Sequence, residues 1–128
     1  MCTGLKAQTG NITFAYNWVK AACCALWDTD GDGELSYAEA DSVTIIPSNL
    51  FGAYTQKNTL FTFDELKYFK NVTTISDSAF YPCEGMESII LPDSVKSIGK
   101  YAFKNCYELL SIDIPKGVTD LKDYTFII

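Results

Sequence analysis

Asp28, Asp30, Asp32, Glu34, Ser36 and Glu39 are the residues whose types and spacing point most directly to chemistry. They fill places one, three, five, seven, nine and twelve of the run Asp28-Thr29-Asp30-Gly31-Asp32-Gly33-Glu34-Leu35-Ser36-Tyr37-Ala38-Glu39. Side-chain oxygens of Asp28, Asp30 and Asp32, the backbone carbonyl of Glu34, a water on Ser36 and a bidentate Glu39 would form a shell of hard oxygen donors. Oxygen donors in that number suit Ca²⁺, whereas zinc and copper favour nitrogen and sulfur. Gly33 at place six permits the sharp turn, and Leu35 at place eight is expected to point into the core. Five carboxylates within twelve residues repel one another when no cation is near, so an ordinary solvated turn explains the spacing poorly.

The run is a full EF-hand loop pattern, present once. Sensor loops of this kind work in pairs that open an apolar groove, but here only Tyr37 to Asp41 follows, at most a turn and a half of helix. A structural site that fastens neighbouring elements is therefore expected, not a switch. Lone extracellular modules bind Ca²⁺ at about 10⁻⁴ to 10⁻³ M, so the loop would be filled outside cells and mostly unfilled inside. The element leading into it should be a helix from about Phe14 to Trp27, since Phe14, Trp18, Ala21, Ala22, Ala25 and Leu26 recur at helical spacings.

From Ser42 onward the chain changes to short β-branched runs broken by Pro, Gly, Asn and Asp, and it repeats. Sliding the sequence so that Val72 falls on Val95, and Val95 on Val118, also aligns Ile75 with Ile98 and Leu121, and Phe80 with Phe103 and Phe126. Between the stretch 72–94 and the stretch 95–117, eight aligned positions are identical, mostly apolar or turn-forming. A period this short belongs to the leucine-rich-repeat range, where each unit is one coil of a solenoid. Alternation in Ile89-Ile90-Leu91 and Ile112-Asp113-Ile114, followed by Val95 to Ile98 and Val118 to Leu121, predicts two short strands per coil. Phe61 to Phe69 reads as a degenerate entry coil in which Asp64 is placed to cap a short helix. Cys83 and Cys106 occupy one slot of successive coils, about 4.8 Å apart when stacked, and a ladder of thiols is favoured there over a disulfide.

Composition removes most other functions. Sixteen carboxylates stand against ten Lys, with no Arg and a net charge of −6, which suits nucleic acid poorly. The absence of His excludes Ser-His-Asp and Cys-His catalysis and His-containing zinc sites, and the acidic cluster is already claimed by the metal loop, so no enzyme is expected. No apolar run approaches the ~20 residues of a membrane helix, and no signal peptide is visible, so an export signal is expected to have been removed or to lie outside this chain. Five Cys is an odd number, and Cys23 and Cys24 are adjacent, which does not read as a disulfide framework.

The runs Ile12-Thr13-Phe14, Val19-Lys20-Ala21, Trp27 to Ser36, Phe63-Asp64-Glu65-Leu66 and Ile98 to Phe103 together resemble the BspA-like leucine-rich-repeat proteins of gut bacteria, in the subset with an EF-hand-like amino-terminal segment. The resemblance covers about Ile12 to Phe126. It implies an exported, surface-attached protein whose solenoid binds other proteins, often in adhesion to host or microbial surfaces. Two stretches depart from the pattern: the irregular connection at Ile45-Ile46-Pro47 and Ala53 to Gln56, and the coil turn Tyr81 to Gly85.

The expected architecture is α+β: a flexible tail over 1–11, a helix and EF-hand-like calcium-binding cap over 12–42, and a leucine-rich-repeat solenoid over 43–128. Within it, 43–71 are degenerate entry coils and 72–128 are BspA-like repeats. The expected function is a calcium-stabilised extracellular or cell-surface module that binds a protein ligand on a host or microbial surface. The alternative is a purely structural cap or spacer of a longer surface protein. Outward positions expected on a binding face are Ser88, Ile90, Ser111 and Asp113 between the buried strand residues, with Lys100, Tyr101, Lys104 and Tyr107 on the turns. The apolar end at Phe126 leads to the expectation of self-association through an uncapped carboxy-terminal coil.

Overall fold

The computed structural model describes residues 9–126. Helix α1 spans Asn17–Trp27 and α2 spans Tyr37–Asp41, and between them lies the acidic loop. Four two-residue strands follow: β1 at Ile45–Ile46, β2 at Thr74–Ile75, β3 at Ser97–Ile98 and β4 at Asp120–Leu121. They form one parallel sheet in chain order, β1-β2-β3-β4. Thr74 pairs with Ser97 and Ser97 with Asp120, the same residues that the repeat aligns, so the period found in the sequence is the register of the sheet.

The periodic positions are buried because each faces its equivalent in the next coil. Val72, Val95, Ile75, Ile98, Phe80 and Ala102 are all inaccessible to solvent. The phenylalanines form a column: Phe80 and Phe103 stack at 5.4 Å, and Phe103 and Phe126 at 5.6 Å. A second hydrogen-bond ladder runs through the turns, where Ser78 N–H donates to Lys100 C=O at 2.8 Å and Phe80 N–H donates to Ala102 C=O at 2.9 Å. Each turn holds one residue in the left-handed region at the same slot: Asn49, Ser78, Tyr101 and Tyr124, with φ between 52° and 61°. Gly99 is required by a close approach, since a side chain there would collide with the Asp77 amide and carboxylate.

Several expectations are corrected. Each coil contributes one strand to the sheet, not two. The alternating segments at Ile89 to Leu91 and Ile112 to Ile114 lie outside any strand, and among the described residues that side of the coils has only an isolated parallel bridge between Thr62 and Ser88. Pro92 and Pro115 lack amide donors, so a continuous ladder does not form there. The first coil is one long coil, because Ile45 pairs directly with Thr74, and its extra length includes the 3₁₀ segment Thr55–Thr59. Asp64 is the first residue of the 3₁₀ segment Asp64–Tyr68 and makes no capping bond, the position before it being Phe63. Helix α1 begins at Asn17, not Phe14: Phe14 to Tyr16 are not helical, Ala15 lies in a bend and Tyr16 is extended. The tail ends earlier than residue 11: Ile12 N–H donates to Leu35 C=O at 2.8 Å and Tyr37 N–H donates to Gly10 C=O at 3.1 Å. The rest of the expected tail, residues 1–8 with Cys2, lies outside the described residues.

The amino-terminal elements pack on the first coil through aromatic pairs. Trp18 meets Phe51 edge-on at 5.3 Å, Trp27 meets Phe69 at 5.2 Å and Tyr37 meets Tyr68 at 5.0 Å. Such pairs contribute about 0.5–1.5 kcal/mol each beyond the area they bury. Glu65, a buried carboxylate, adds a polar tie by accepting a 2.9 Å hydrogen bond from the Ala15 amide. Glu65→Ala leaves that amide without its partner and is expected to cost about 1–3 kcal/mol, while Glu65→Gln, which keeps an acceptor, costs less. Urea unfolding midpoints of the two variants check this, and equal midpoints for Glu65→Ala and the parent would show that the bond carries nothing.

Candidate calcium loop and binding face

The acidic loop is held open by its own amides. Asp28 accepts from Gly31 N–H and Gly33 N–H, both at 2.9 Å, Asp30 accepts from Asp32 N–H at 3.2 Å, and Asp32 accepts from Glu34 N–H at 2.9 Å. These bonds curl the chain around one point, and the curl needs left-handed backbone at Gly31 (φ 73°) and Gly33 (φ 79°). Carboxylate oxygens of Asp28, Asp30 and Asp32 consequently lie within 4.8 Å of one another. Three hard anionic donors converging without nitrogen or sulfur form a set that fits a calcium-type cation.

The other three expected ligands are placed differently. Glu39 joins the two ends of the loop: Oε2 accepts from Thr29 N–H at 2.7 Å and Thr29 hydroxyl at 3.0 Å, and Oε1 accepts from Ser36 N–H at 2.9 Å. The Ser36 amide, with the Thr29 donors, pulls its carboxyl down to about 2. The Asp30 carboxyl is raised: the bond from the Asp32 amide opposes the shift, but the Asp28 carboxyl, partial desolvation and the charges of Asp32 and Glu39 outweigh it. Ser36 caps α2 in a reciprocal pair with Glu39, its hydroxyl accepting from Glu39 N–H at 3.0 Å. The Glu34 carboxylate pairs with Lys20 at 2.8 Å instead of joining the three aspartates. Leu35 is fully buried, as its place in the loop requires.

The backbone after the glycines is paired as well: Asn11 bridges antiparallel to Ser36, with Ile12 N–H donating to Leu35 C=O and Tyr37 N–H to Gly10 C=O. The loop is therefore fastened on three sides: α1 before it, α2 after it, and the extended segment across it.

The outward residues fall into two patches. Ile90, 62% exposed, and Asp113 line one open groove of about 550 Å³ with Asp93, Ile114, Pro115 and Lys116. Ser88 and Ser111 are exposed on the same segments of their coils. Lys104 and Tyr101 form the second patch, in which the Lys104 ammonium lies 5.0 Å from the Tyr101 ring centre and 5.5 Å from that of Tyr81. Tyr101 stacks on Tyr124 at 5.8 Å, while Lys100 and Tyr107 are exposed. Sequence reasoning passed over Asp93, Lys116 and Tyr124, yet the repeat shift that pairs Ile90 with Asp113 and Tyr101 with Tyr124 also pairs Asp93 with Lys116. The same shift pairs Tyr81 with Lys104, so it too was within reach of the repeat.

The described cysteines are free thiols. Cys106 donates to the Phe80 carbonyl at 3.4 Å, and burial pushes the Cys83 thiol up and the Cys106 thiol to about 11. Both thiols are buried, which disfavours the thiolate form that reacts. No helix among the described residues is long and apolar enough to cross a membrane.

The family model of the BspA type Leucine rich repeat region matches residues 44–127, in six copies. No curated protein and no solved structure matches the chain.

Proposed function

The chain belongs to the BspA-type leucine-rich-repeat family, and from that premise we propose that it is a non-enzymatic recognition module displayed outside the cell, a short solenoid whose amino-terminal EF-hand-like loop binds one Ca²⁺. The observation that carries the recognition reading is Ile90. It lies in a run whose neighbours Ile89 and Leu91 are buried, yet it is 62% exposed and faces the groove shared with Asp113. An exposed aliphatic side chain beside charged and proline residues is the composition of a small protein-binding patch with a polar rim.

Asp28, Asp30, Asp32 and Glu39 would hold the ion, with the Glu34 carbonyl and Ser36 completing the set. When bound, Ca²⁺ supplies positive charge that cancels the mutual repulsion of these carboxylates. The loop's own residues do the rest, fixing the end of α1 against the start of α2 and so holding the aromatic pairs on the first coil. A surface setting, where millimolar Ca²⁺ is present, suits a site of this class.

Fluorescently labelled protein applied to epithelial monolayers and to bacterial cells tests the recognition role. Ile90→Asp combined with Tyr101→Asn, the latter chosen because Asn tolerates left-handed backbone, is expected to lower retained protein at least tenfold while leaving the circular dichroism spectrum unchanged. Undiminished retention would favour the spacer role, in which other parts of a surface protein do the binding.

A further inference from the structure

The two stretches that break the repeat pattern meet in space. Gly85, in the turn Tyr81 to Gly85, packs so closely on the 3₁₀ segment Thr55–Thr59 that a side chain there would collide with the Asn58 carbonyl. Tyr81 and Pro82 from the one stretch, with Ala53 and the neighbouring Lys57 from the other, line an open groove of about 560 Å³ completed by Asn49 and Gly52. That volume lies in the range of small-ligand clefts, about 300–1,000 Å³. Stacking of coils needs only the periodic positions, so two departures from the period that fit one another mark a place shaped by another demand. Backbone bonds fix its walls: Asn49 N–H donates to Ser78 C=O at 3.0 Å, Gly52 N–H to Asn49 C=O at 2.9 Å, and Tyr81 N–H to Ser78 C=O at 3.2 Å.

The groove reverses the charge of the chain. The protein carries a net charge of −6, yet no carboxylate lines this groove, and two ammonium groups belong to it. Lys57 is one of its walls, and its ammonium donates a long bond, 3.5 Å, to the Tyr54 carbonyl. Lys104 stands one coil further on, in the slot equivalent to Tyr81, with its ammonium 5.5 Å from the Tyr81 ring centre. The ion pairs among the described residues engage Lys20, Lys70 and Lys122, so neither of these two lysines is neutralised by a carboxylate there.

We propose that this groove binds a carboxylated oligosaccharide, with the Tyr81 and Pro82 rings packed on a sugar face, the Asn49 amide on its hydroxyls, and Lys57 and Lys104 on its carboxylates. The proposal goes beyond the protein-binding reading above, uses a groove separate from that of Ile90, and does not depend on the calcium loop. The C–H groups of a sugar face carry slight positive charge and pack well on the negative face of an aromatic ring, whose phenol supplies a polar handle. Ammonium–carboxylate bonds are charge-assisted and stronger than those a neutral sugar could offer the same lysines. An acidic peptide matches the lysines too, but the amides of Asn49, Gly52 and Tyr81 along these walls are already paired and offer its backbone nothing.

Calorimetric titration of trigalacturonate into the full chain is the test, in calcium-free buffer so that neither the loop's metal nor calcium on the sugar contributes. One saturable site per chain is expected. Lys57→Gln and Lys104→Gln should each weaken it about twofold to fivefold, and the double variant about tenfold, with added salt acting in the same direction. The methyl ester of trigalacturonate keeps the sugar faces and removes the charge, and it is expected to bind the parent as weakly as trigalacturonate binds the double variant. Nuclear magnetic resonance of the parent locates the site without any variant: the Gly52 and Tyr81 amides should shift on titration. No saturable heat, an unaltered affinity in the double variant, or shifts confined to the Ile90 groove would each overturn the proposal. Hexaglutamate bound as tightly as trigalacturonate would also overturn it, since the site would then read an acidic peptide. None of these outcomes bears on the protein-binding reading, which the cell-retention assay tests.

Discussion

Calcium added to chelator-treated protein is expected to bind once per chain and to raise the thermal midpoint by roughly 5–9 °C at a twentyfold excess over the dissociation constant. The size follows from mass action: a ligand of the folded state alone adds RT ln(1 + [L]/Kd), about 1.8 kcal/mol at that ratio, and a chain of this length shifts by about 3–5 °C per kcal/mol. The physical source is the acidic cluster. Carboxylates of Asp28, Asp30 and Asp32 lie within 4.8 Å of one another, and without an ion only the loop amides offset their repulsion. Glu39→Gln keeps one acceptor oxygen for the reciprocal cap with Ser36 but turns an NH2 group toward the Thr29 donors that the second carboxylate oxygen accepts from, so the variant should melt below the parent even in chelator. The metal effect is read as the further rise in midpoint on adding Ca²⁺, which should disappear in the variant. Calorimetry supplies the stoichiometry. No heat on titration, together with an unmoved midpoint, would make the loop a turn closed by its own hydrogen bonds, and the calcium reading would be wrong.

Phe80→Ala is expected to cost about 3–5 kcal/mol, the range for removing a fully buried aromatic ring. Phe80 is inaccessible to solvent and touches the columns on both sides. Its ring centre is 5.4 Å from that of Phe103 and 6.3 Å from those of both Phe51 and Phe63. Phe51 and Phe63 belong to the long first coil and Phe103 to a regular one, so this side chain joins the irregular and regular parts of the core. Against a total stability of about 5–15 kcal/mol for a domain of ordinary size, the loss would leave a substantial unfolded population at physiological temperature. Urea unfolding followed by far-ultraviolet circular dichroism measures it. Ile90→Ala, an exposed position, is the control and should stay within about 0.5 kcal/mol of the parent. A Phe80→Ala variant as stable as that control would mean that the phenylalanine column does not hold the coils together.

These two effects differ in how visible their causes are in the amino-acid sequence. The acidic loop is a local object. Its carboxylates, its glycines and its buried Leu35 all fall within one short run, so backbone geometry over a few bonds decides it, and the pattern can be read directly. The phenylalanine column is long-range, yet it was legible because repetition turns a tertiary contact into a period. When one coil stacks on the next, equivalent residues of successive repeats become neighbours, and each buried slot selects the same kind of side chain again.

Legibility failed where contacts were neither local nor periodic. The bond from Ala15 to Glu65 joins distant segments with no repeat to announce it. The meeting of Trp18 with Phe51 and of Trp27 with Phe69, and the pairing of Gly10 to Ile12 across the loop, likewise leave no mark on composition or spacing. Apolar alternation at Ile89 to Leu91 suggested a second strand per coil, but alternation reports only which side chains face inward. Whether neighbouring backbones also approach closely enough to bond depends on the path of the whole coil, and Pro92 and Pro115 interrupt that path.

The sequence by itself therefore determined the repeat, the acidic loop and the inward residues of each coil, because each is set by short-range geometry or by recurrence. Only the tertiary structure decided how the amino-terminal elements lock onto the long first coil between β1 and β2, and which outward residues share a groove. Those outcomes depend on where distant, non-equivalent segments meet once the coils are stacked, and a linear pattern holds no record of such meetings.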